Sequence, residues 1–508
     1  MNRLVRQCVA GVLALAAVSA ARAVLGRRPG GAQVLARFGC RQAERAGLMA
    51  AVLAAARARR RIPAYRAATA GLRPWRAAVA TGSLEGYLAA LPILDKASYI
   101  DAHPLADRCP GGRLPERGVE VDESSGSSGR PYQWVRSRSE LDQVEARLAV
   151  QAGWLLRARR HRRIVVLNCF SMGAWATGQS VTRSLSRLGA VKSCGPDTDK
   201  ALAAIELLGS DICYVVSGYP PFLGTLLDAA CRRGLDLSGH EMWGFVGGEG
   251  MTEVLRARLE RTFRRVLSAY GASDLDVGVA GETELAVAVR QAAAADPRFA
   301  DALFGGTGRL PMVLQYDPTS YHVETIGGEL VVTVLRKLLS PRIRYAVHDA
   351  GDTFTFRALA SLAREHGVEL PFAGAARAPF LFISGRIDST LSHMGANLYP
   401  EDVDAALGTL SDLRPDLGLG TFCLALADRP DGTTVPVIHV ESVSSPAPEL
   451  IRSALAGWLV EHNHDWSAAA AEDSHALDFE IRTAAPGTGV FAANATRIKR
   501  RYVLGASR

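Results

Sequence analysis

The chain has 508 residues, of which 48% are hydrophobic and 22% charged, and a formal net charge of +8. That length excludes a single core and fits two to four domains, while the balance of residue types excludes a disordered or fibrous chain. A charge this mild over so many residues permits anionic ligands such as nucleotides without demanding a nucleic acid.

The opening segment "MNRLVRQCVAGVLALAAVSAARA" sets two early arginines before an apolar stretch from Cys8 to Ala21 and ends on small residues, the outline of a secretory signal. Arg22 breaks it too soon for a membrane span. An Ala/Leu-rich helix that docks on the protein, or makes a weak contact with a membrane surface, accounts for the same pattern. Residues 1–31 are therefore set apart as an apolar N-terminal segment. Residues 33–60 keep helical apolar spacing until Pro63 interrupts it. "SLEGYLAALPILDKASYIDAHPL" (83–105) reads as a helix, a Pro-containing break and another short helix.

"VDESSGSSGRPYQW" (121–134) follows, dense in serine and glycine. Glycines let backbone N–H groups converge on phosphate oxygens, and hydroxyls donate further hydrogen bonds. A flexible linker has the same composition. No Gly-Lys pair closes the run, which excludes the nucleoside-triphosphatase loop. Ser139 is a candidate cap for a helix running to about Arg160. The basic run "RARRHRR" (157–163) at its end suits a solvated helix C-terminus.

Short apolar runs at 163–170, 211–218 and 240–248, with helical stretches between them, predict a central sheet flanked by helices, an α/β fold. Beyond residue 320 strand-like segments dominate: 322–335, 341–356 and 379 onward, then a helix capped near Pro400. The last hundred residues alternate short strands with a helix over 448–462, enough for a separate small α+β domain. The predicted organisation is a large domain over 32–384 and a small one over 385–508. The eight cysteines show no C-x-x-C spacing and no cluster with histidine, which argues against a zinc site or a disulfide scaffold. A reducing, cytoplasmic setting is the expectation.

SSGSSGRP resembles the Ser/Gly/Thr-rich phosphate loop of the adenylate-forming enzymes, which include acyl-CoA synthetases, peptide-synthetase adenylation domains and luciferases. Further elements of that superfamily occur in order: "YGASD" (270–274), "GGELVVT" (327–333), "RYAVHD" (344–349) and "GRIDSTLSHMGANLYPEDVDAAL" (385–407). "LPILDKASY", "NCFSMGAWATG", "GGEGMTEVLR" and "LQYDP" resemble the phenylacetate–CoA ligase-like and coenzyme F390 synthetase-like branch.

The resemblance implies an adenylation domain followed by a small mobile lid. It implies ATP, Mg2+ and CoA as cofactors, a small carboxylic acid as substrate, and no nucleic acid partner. The reaction it implies is attack of a carboxylate on ATP to give an acyl-adenylate, then transfer to CoA. A carrier-protein thiol, an amine or a cofactor hydroxyl stays open as acceptor, and so does a nucleotide-binding relative without catalysis.

By the same resemblance, Ser124, Ser125, Gly126, Ser127, Ser128 and Gly129 would cradle phosphates, with Arg130 as the cation. Glu249, Tyr270 and Gly271 would border the nucleotide, Asp349 the ribose, and Arg386 the ribose or phosphates. Asp352 is the rival to Asp349. Asp388 would be the hinge, and Asp274, where Glu is usual, would reach the metal. Phe170, Met172, Trp175 and Trp243 hint at an apolar or aromatic acid. The mobile catalytic lysine falls in "NATRIKRRYVLG", with Lys499 and Arg497 as its candidates. His348 stands where glycine is usual and reads as a solvated loop residue.

Overall fold

The computed structural model describes residues 2–25, 40–124, 132–156, 163–173, 176–305, 310–336, 338–386, 391–394, 396–444, 448–472 and 478–491. The chain opens with helices α1 (Asn2–Leu25), α2 (Cys40–Arg61), α3 (Pro63–Ala68), α4 (Pro74–Thr81) and α5 (Leu84–Ala89). Pro63 and Pro74 stand at the first positions of α3 and α4, where the missing N–H costs nothing. A hairpin of β1 (Val119–Ser124) and β2 (Tyr132–Ser137) comes next and leads into α6 (Arg138–Leu155). The N-cap of α6 is Ser137, not Ser139, because Glu140 reaches back to the Ser137 N–H at 2.5 Å.

The central element is an eleven-stranded sheet. One half is parallel: β3 (Ile164–Asn168), β4 (Ala190–Ser193), β5 (Cys213–Gly218), β6 (Glu241–Gly247) and β7 (Arg265–Tyr270). Every residue of β3 and β5 is buried, as strands covered by helices on both faces must be, which is why they read as unbroken apolar runs. The predicted strands at 163–170, 211–218 and 240–248 are β3, β5 and β6. The edge strand β4 carried no such signal, since none of its residues is fully buried.

The other half is antiparallel, built from β8 (Ala280–Gly281), β9 (Met312–Tyr316), β10 (Tyr321–Ile326), β11 (Glu329–Val334), β12 (Tyr345–Phe354) and β13 (Phe380–Arg386). Gly327 and Gly328, with φ of 63° and 84°, close the β10–β11 hairpin in a turn that requires two left-handed residues.

Beyond Arg386 the strands leave this sheet. β14 (Leu391–His393) and β15 (Ala396–Leu398) form a hairpin, and β16 (Leu419–Asp428), β17 (Thr434–Ser442) and β18 (Glu480–Ala484) form a three-stranded sheet. An apolar cluster runs from Leu167 and Val216 in the parallel half through Leu255 to Leu391, Leu398 and Leu424. The C-terminal part therefore packs on the large sheet. Thr252 donates to the Gly432 carbonyl at 2.6 Å across that seam. Gly432 has φ of 85°, and a Cβ there would lie 2.3 Å from the Leu255 nitrogen, so only glycine fits.

Candidate active site

The parallel strands deliver their motifs at one edge. "NCF" follows β3, "SGYP" ends β5, "GGEG" closes β6 and "YGASD" closes β7. In open α/β sheets such carboxyl ends are where ligands bind. Gly247 pairs with Ala269 on β7, and a Cβ on Gly247 would meet the Phe170 ring at 4.0 Å. A Cβ on Gly271 would lie 2.7 Å from both the Asp276 carbonyl and the Gly278 nitrogen, so the turn after β7 is held against its own backbone.

Three of the predicted residues converge. The Tyr270 hydroxyl donates to Asp349 Oδ2 at 2.5 Å, and Arg386 Nη1 lies 3.9 Å from Asp349 Oδ1. The register of β12 on β13 sets Arg386 directly opposite Asp349. Burial, and then the neighbouring Asp349 carboxylate, hold the Tyr270 phenol well above its usual range, so it stays a donor. Asp349 is buried, whereas the rival Asp352 is exposed and, among the described residues, accepts from the next residue's N–H, on Thr353.

Residues 125–131, and with them Ser125, Gly126, Ser127, Ser128, Gly129 and Arg130, lie outside the described residues. The strands on either side fix where the segment starts and ends, with Ser124 paired to Tyr132. Ser124 itself is buried, and its hydroxyl accepts from the Trp134 indole at 2.7 Å. Its first task is thus to satisfy an aromatic N–H beneath the loop.

Lys96 stands over the Tyr132 ring at 5.2 Å and the Trp134 ring at 5.9 Å, with its ammonium 4.0 Å from Asp274. It gets there because Leu94 bridges to Tyr345, exchanging backbone hydrogen bonds of 3.0 and 2.8 Å with Arg344 and Ala346. Arg136, on β2, donates to the carbonyls of Leu275 (2.8 Å) and Ser273, which ties the 270–276 turn to the serine hairpin. Among the described residues no group of three or more His, Cys, Asp or Glu gathers as metal ligands. Asp274 is buried at 6% exposure and offers one carboxylate. That fits a Mg2+ whose remaining ligands are phosphates and water.

Glu249 meets the C-terminal part. It accepts from the Met394 N–H at 3.3 Å, its Oε2 lies 3.8 Å from His393 Nδ1, and its side chain is only 9% exposed. Glu249 Oε1 and His393 Nδ1 are buried without hydrogen-bond partners among the described residues. Burial pushes the Glu249 carboxyl up to about 8 and pulls the His393 imidazole down to about 4.

His348 departs from its expected solvated state. Its Nδ1 lies 2.8 Å from Glu329 and its Nε2 3.6 Å from Asp95. Its φ of 60° is the left-handed conformation that glycine adopts without strain, and a histidine occupies it here with a carboxylate near each ring nitrogen. Phe170 is buried against Tyr219, with ring centroids 5.2 Å apart, and Met172 is half-buried. Trp243 is buried and packs with Ile164, Val166 and Val215 in the core. Trp175, Asp388, Arg497 and Lys499 lie outside the described residues, as does the basic run except for Arg163.

No protein-family profile and no curated protein matches the chain. Solved structures do. A 2-hydroxyisobutyryl-CoA ligase in complex with 2-HIB-AMP and CoA, in its thioesterification state, covers 92% of this chain and 90% of its own at 18% identity, with a TM-score of 0.62. The chain has the fold of this ligase. The same ligase in its postadenylation state with 2-HIB-AMP matches over the same shares and identity with a TM-score of 0.51. In an open conformation with 2-HIB-AMP and CoA it covers 86% of this chain and 91% of its own at 18% identity, with a TM-score of 0.52.

Sequence reasoning passed over Lys96 and His393. The first sits inside "LPILDKASY", a motif noted for its resemblance and not for its lysine. The second belongs to the hairpin after the Gly-Arg-x-Asp element. Neither has a local signal, because each meets its partner across a long stretch of chain.

Proposed function

We propose that this chain is an ATP-dependent ligase that activates a small carboxylic acid as its acyl-adenylate and passes the acyl group to CoA. The observation that carries the reading is the convergence of Tyr270, Asp349 and Arg386 at the carboxyl edge of an adenylate-forming sheet, beside the base of a Ser/Gly hairpin. A fixed carboxylate beside a cation suits a ribose and phosphate.

In the first step a carboxylate oxygen attacks the α-phosphorus of ATP, and the bond to pyrophosphate breaks. Two anions must be held together while charge grows on phosphorus. Ser125, Ser127, Ser128 and the intervening N–H groups would hold the β- and γ-phosphates, with Arg130 as cation. Lys96 adds an ammonium at the foot of the same loop. Asp274 would hold a Mg2+, which when bound neutralises phosphate charge. Asp349 would accept from the ribose hydroxyls, oriented by the Tyr270 hydroxyl. Glu249 Oε1, buried and without a partner among the described residues, is available to the adenine amino group.

In the second step a thiolate attacks the acyl carbonyl and AMP leaves. The small part beyond Arg386 would then act as the lid, hinged near Asp388, and would bring Lys499 or Arg497 to the phosphate during the first step. The higher score against the thioesterification state than against the other two, 0.62 against 0.51 and 0.52, supports reading the docked β14–β15 hairpin as the arrangement that receives the thiol. The apolar Phe170 beside the "GGEG" turn supports a small apolar or aromatic acid. The resemblances in sequence favour the phenylacetate–CoA ligase-like branch.

The test is direct. Purified protein, ATP and Mg2+ are incubated with a panel of aromatic and aliphatic acids, with and without CoA, and products are read by mass spectrometry. An acyl-CoA with AMP is the expected result. AMP or acyl-adenylate without acyl-CoA assigns another acceptor, and no acid-dependent cleavage of ATP overturns the proposal.

A further inference from the structure

Charge is divided very unevenly along this chain. The first 84 residues hold fifteen arginines, no lysine and a single acid, Glu44, which makes them +14. That leaves 44 of the 59 basic and 50 of the 51 acidic residues for the rest, which is therefore −6. Of the eleven arginines in this region whose side chains are described, ten are exposed, among them Arg3, Arg6, Arg57, Arg60, Arg61 and Arg76.

The outer face of α1 is the second observation. Its inner face docks through Leu4, Ala14 and Val18, and Gly11 lets it approach closely, since a Cβ there would already sit 3.0 Å from Met49. The opposite face carries Val5, Val9, Val12 and Leu13, between 52% and 65% exposed, together with exposed Ala16 and Ala20. A helix lying on a protein in water ordinarily turns charge outward. Here about four turns of helix turn aliphatic side chains outward, flanked by Arg3 and Arg6. Nearby, α4 exposes Trp75 and Val79 one turn apart; both α1 and α4 border α5.

We infer that this arginine-rich, apolar-faced N-terminal layer docks the protein on the surface of a bilayer containing anionic lipid, with the outer face of α1 lying in the interface. Aliphatic side chains enter the acyl boundary while arginines meet lipid phosphates, and Trp75 has the amphipathic ring that favours headgroup depth. A second copy of the chain is the poorer occupant, since two such layers face to face would oppose ten exposed arginines with ten more. A spanning helix is poorer too. Although Arg3–Ala20 is long and apolar enough to cross a membrane, insertion would strip Leu4, Ala14 and Val18 from their packing.

The experiment is sedimentation of the full chain with vesicles of phosphatidylcholine alone and of phosphatidylcholine mixed with phosphatidylglycerol. The protein should pellet with the mixed vesicles, bind neutral ones roughly tenfold or more weakly, and be released by salt. Val9→Asp with Leu13→Asp should abolish pelleting while thermal unfolding stays unchanged, because neither side chain packs on the protein. Should that pair unfold the chain, Arg57→Gln with Arg60→Gln and Arg61→Gln should weaken binding to the mixed vesicles alone. Failure to pellet with either vesicle overturns the inference. So does equal binding to both that ignores the substitutions, a concentration-dependent dimer that Val9→Asp dissolves, or resistance to alkaline extraction, which would mean a span.

Discussion

Two buried polar constellations in this molecule differ in one respect. At Tyr270–Asp349–Arg386, donor and acceptor meet at 2.5 Å and a guanidinium stands beside them. At Glu249–His393, two titratable groups lie 3.8 Å apart, one oxygen and one nitrogen lack partners among the described residues, and burial drives both toward neutrality. A satisfied cluster is rigid and resists change, whereas an unsatisfied one costs stability until a ligand or a rearrangement answers it. The first sits within the large sheet. The second sits on the seam with the C-terminal part, which the lid motion proposed above would have to open.

The largest effect is expected at the satisfied cluster. Asp349→Ala removes the acceptor of the Tyr270 hydroxyl and the carboxylate beside Arg386, and acid-dependent pyrophosphate release should fall by ~10²–10³-fold, on the scale of truncating a buried charged pair. Tyr270→Phe removes one donor only and should cost about tenfold or less. Equal losses in both would show that the hydroxyl, and not the carboxylate, does the binding.

Lys96 comes next. Lys96→Ala should slow pyrophosphate release by roughly 10–100-fold through a lost phosphate cation, with partial recovery in Lys96→Arg. If neither substitution changes the rate, Lys96 only packs on Tyr132 and Trp134.

The seam is read by pH. The folded value of Glu249 lies above its ordinary 4.5, so its contribution to stability is full below pH 4.5 and is lost as pH rises toward about 8. His393 runs the other way: its folded value lies below 6.5, so its contribution is full above pH 6.5 and is lost as pH falls toward about 4. The two trends offset each other between about pH 4.5 and 6.5, so chemical denaturation should show stability declining from about pH 6.5 to 8, by roughly 2 kcal/mol, and Glu249→Gln should flatten that limb. A wild-type curve already flat there would mean that Glu249 is not neutralised by burial.

The smallest effect is at the foot of the loop. Ser124→Ala strips the Trp134 indole of its acceptor and should cost about 1–3 kcal/mol in thermal unfolding. Ser125→Ala with Ser128→Ala should leave stability alone and reduce pyrophosphate release. This pair of outcomes separates the structural serine from those proposed to touch phosphate.

Much of this was legible in the chain. The buried strands β3, β5 and β6 announced themselves as apolar runs, and Tyr270, Asp349 and Arg386 stood in motifs that the fold does bring together. What was hidden is non-local or polar. β4 is an edge strand without an apolar signal. Lys96 owes its position to a bridge between Leu94 and Tyr345, some 250 residues later. His393 meets Glu249 only when the C-terminal part docks. The cap at Ser137 and the paired state of His348 depend on Glu140, Glu329 and Asp95, which a reading by local propensity does not weigh together.

The central claim is that the Tyr270–Asp349–Arg386 edge serves adenylation, and exchange of labelled pyrophosphate into ATP tests it most directly. With the right acid, the wild-type protein should incorporate label without CoA, and Asp349→Ala should not, although it folds. Incorporation that proceeds equally in Asp349→Ala, or none with any acid while ATP still binds, would contradict the account.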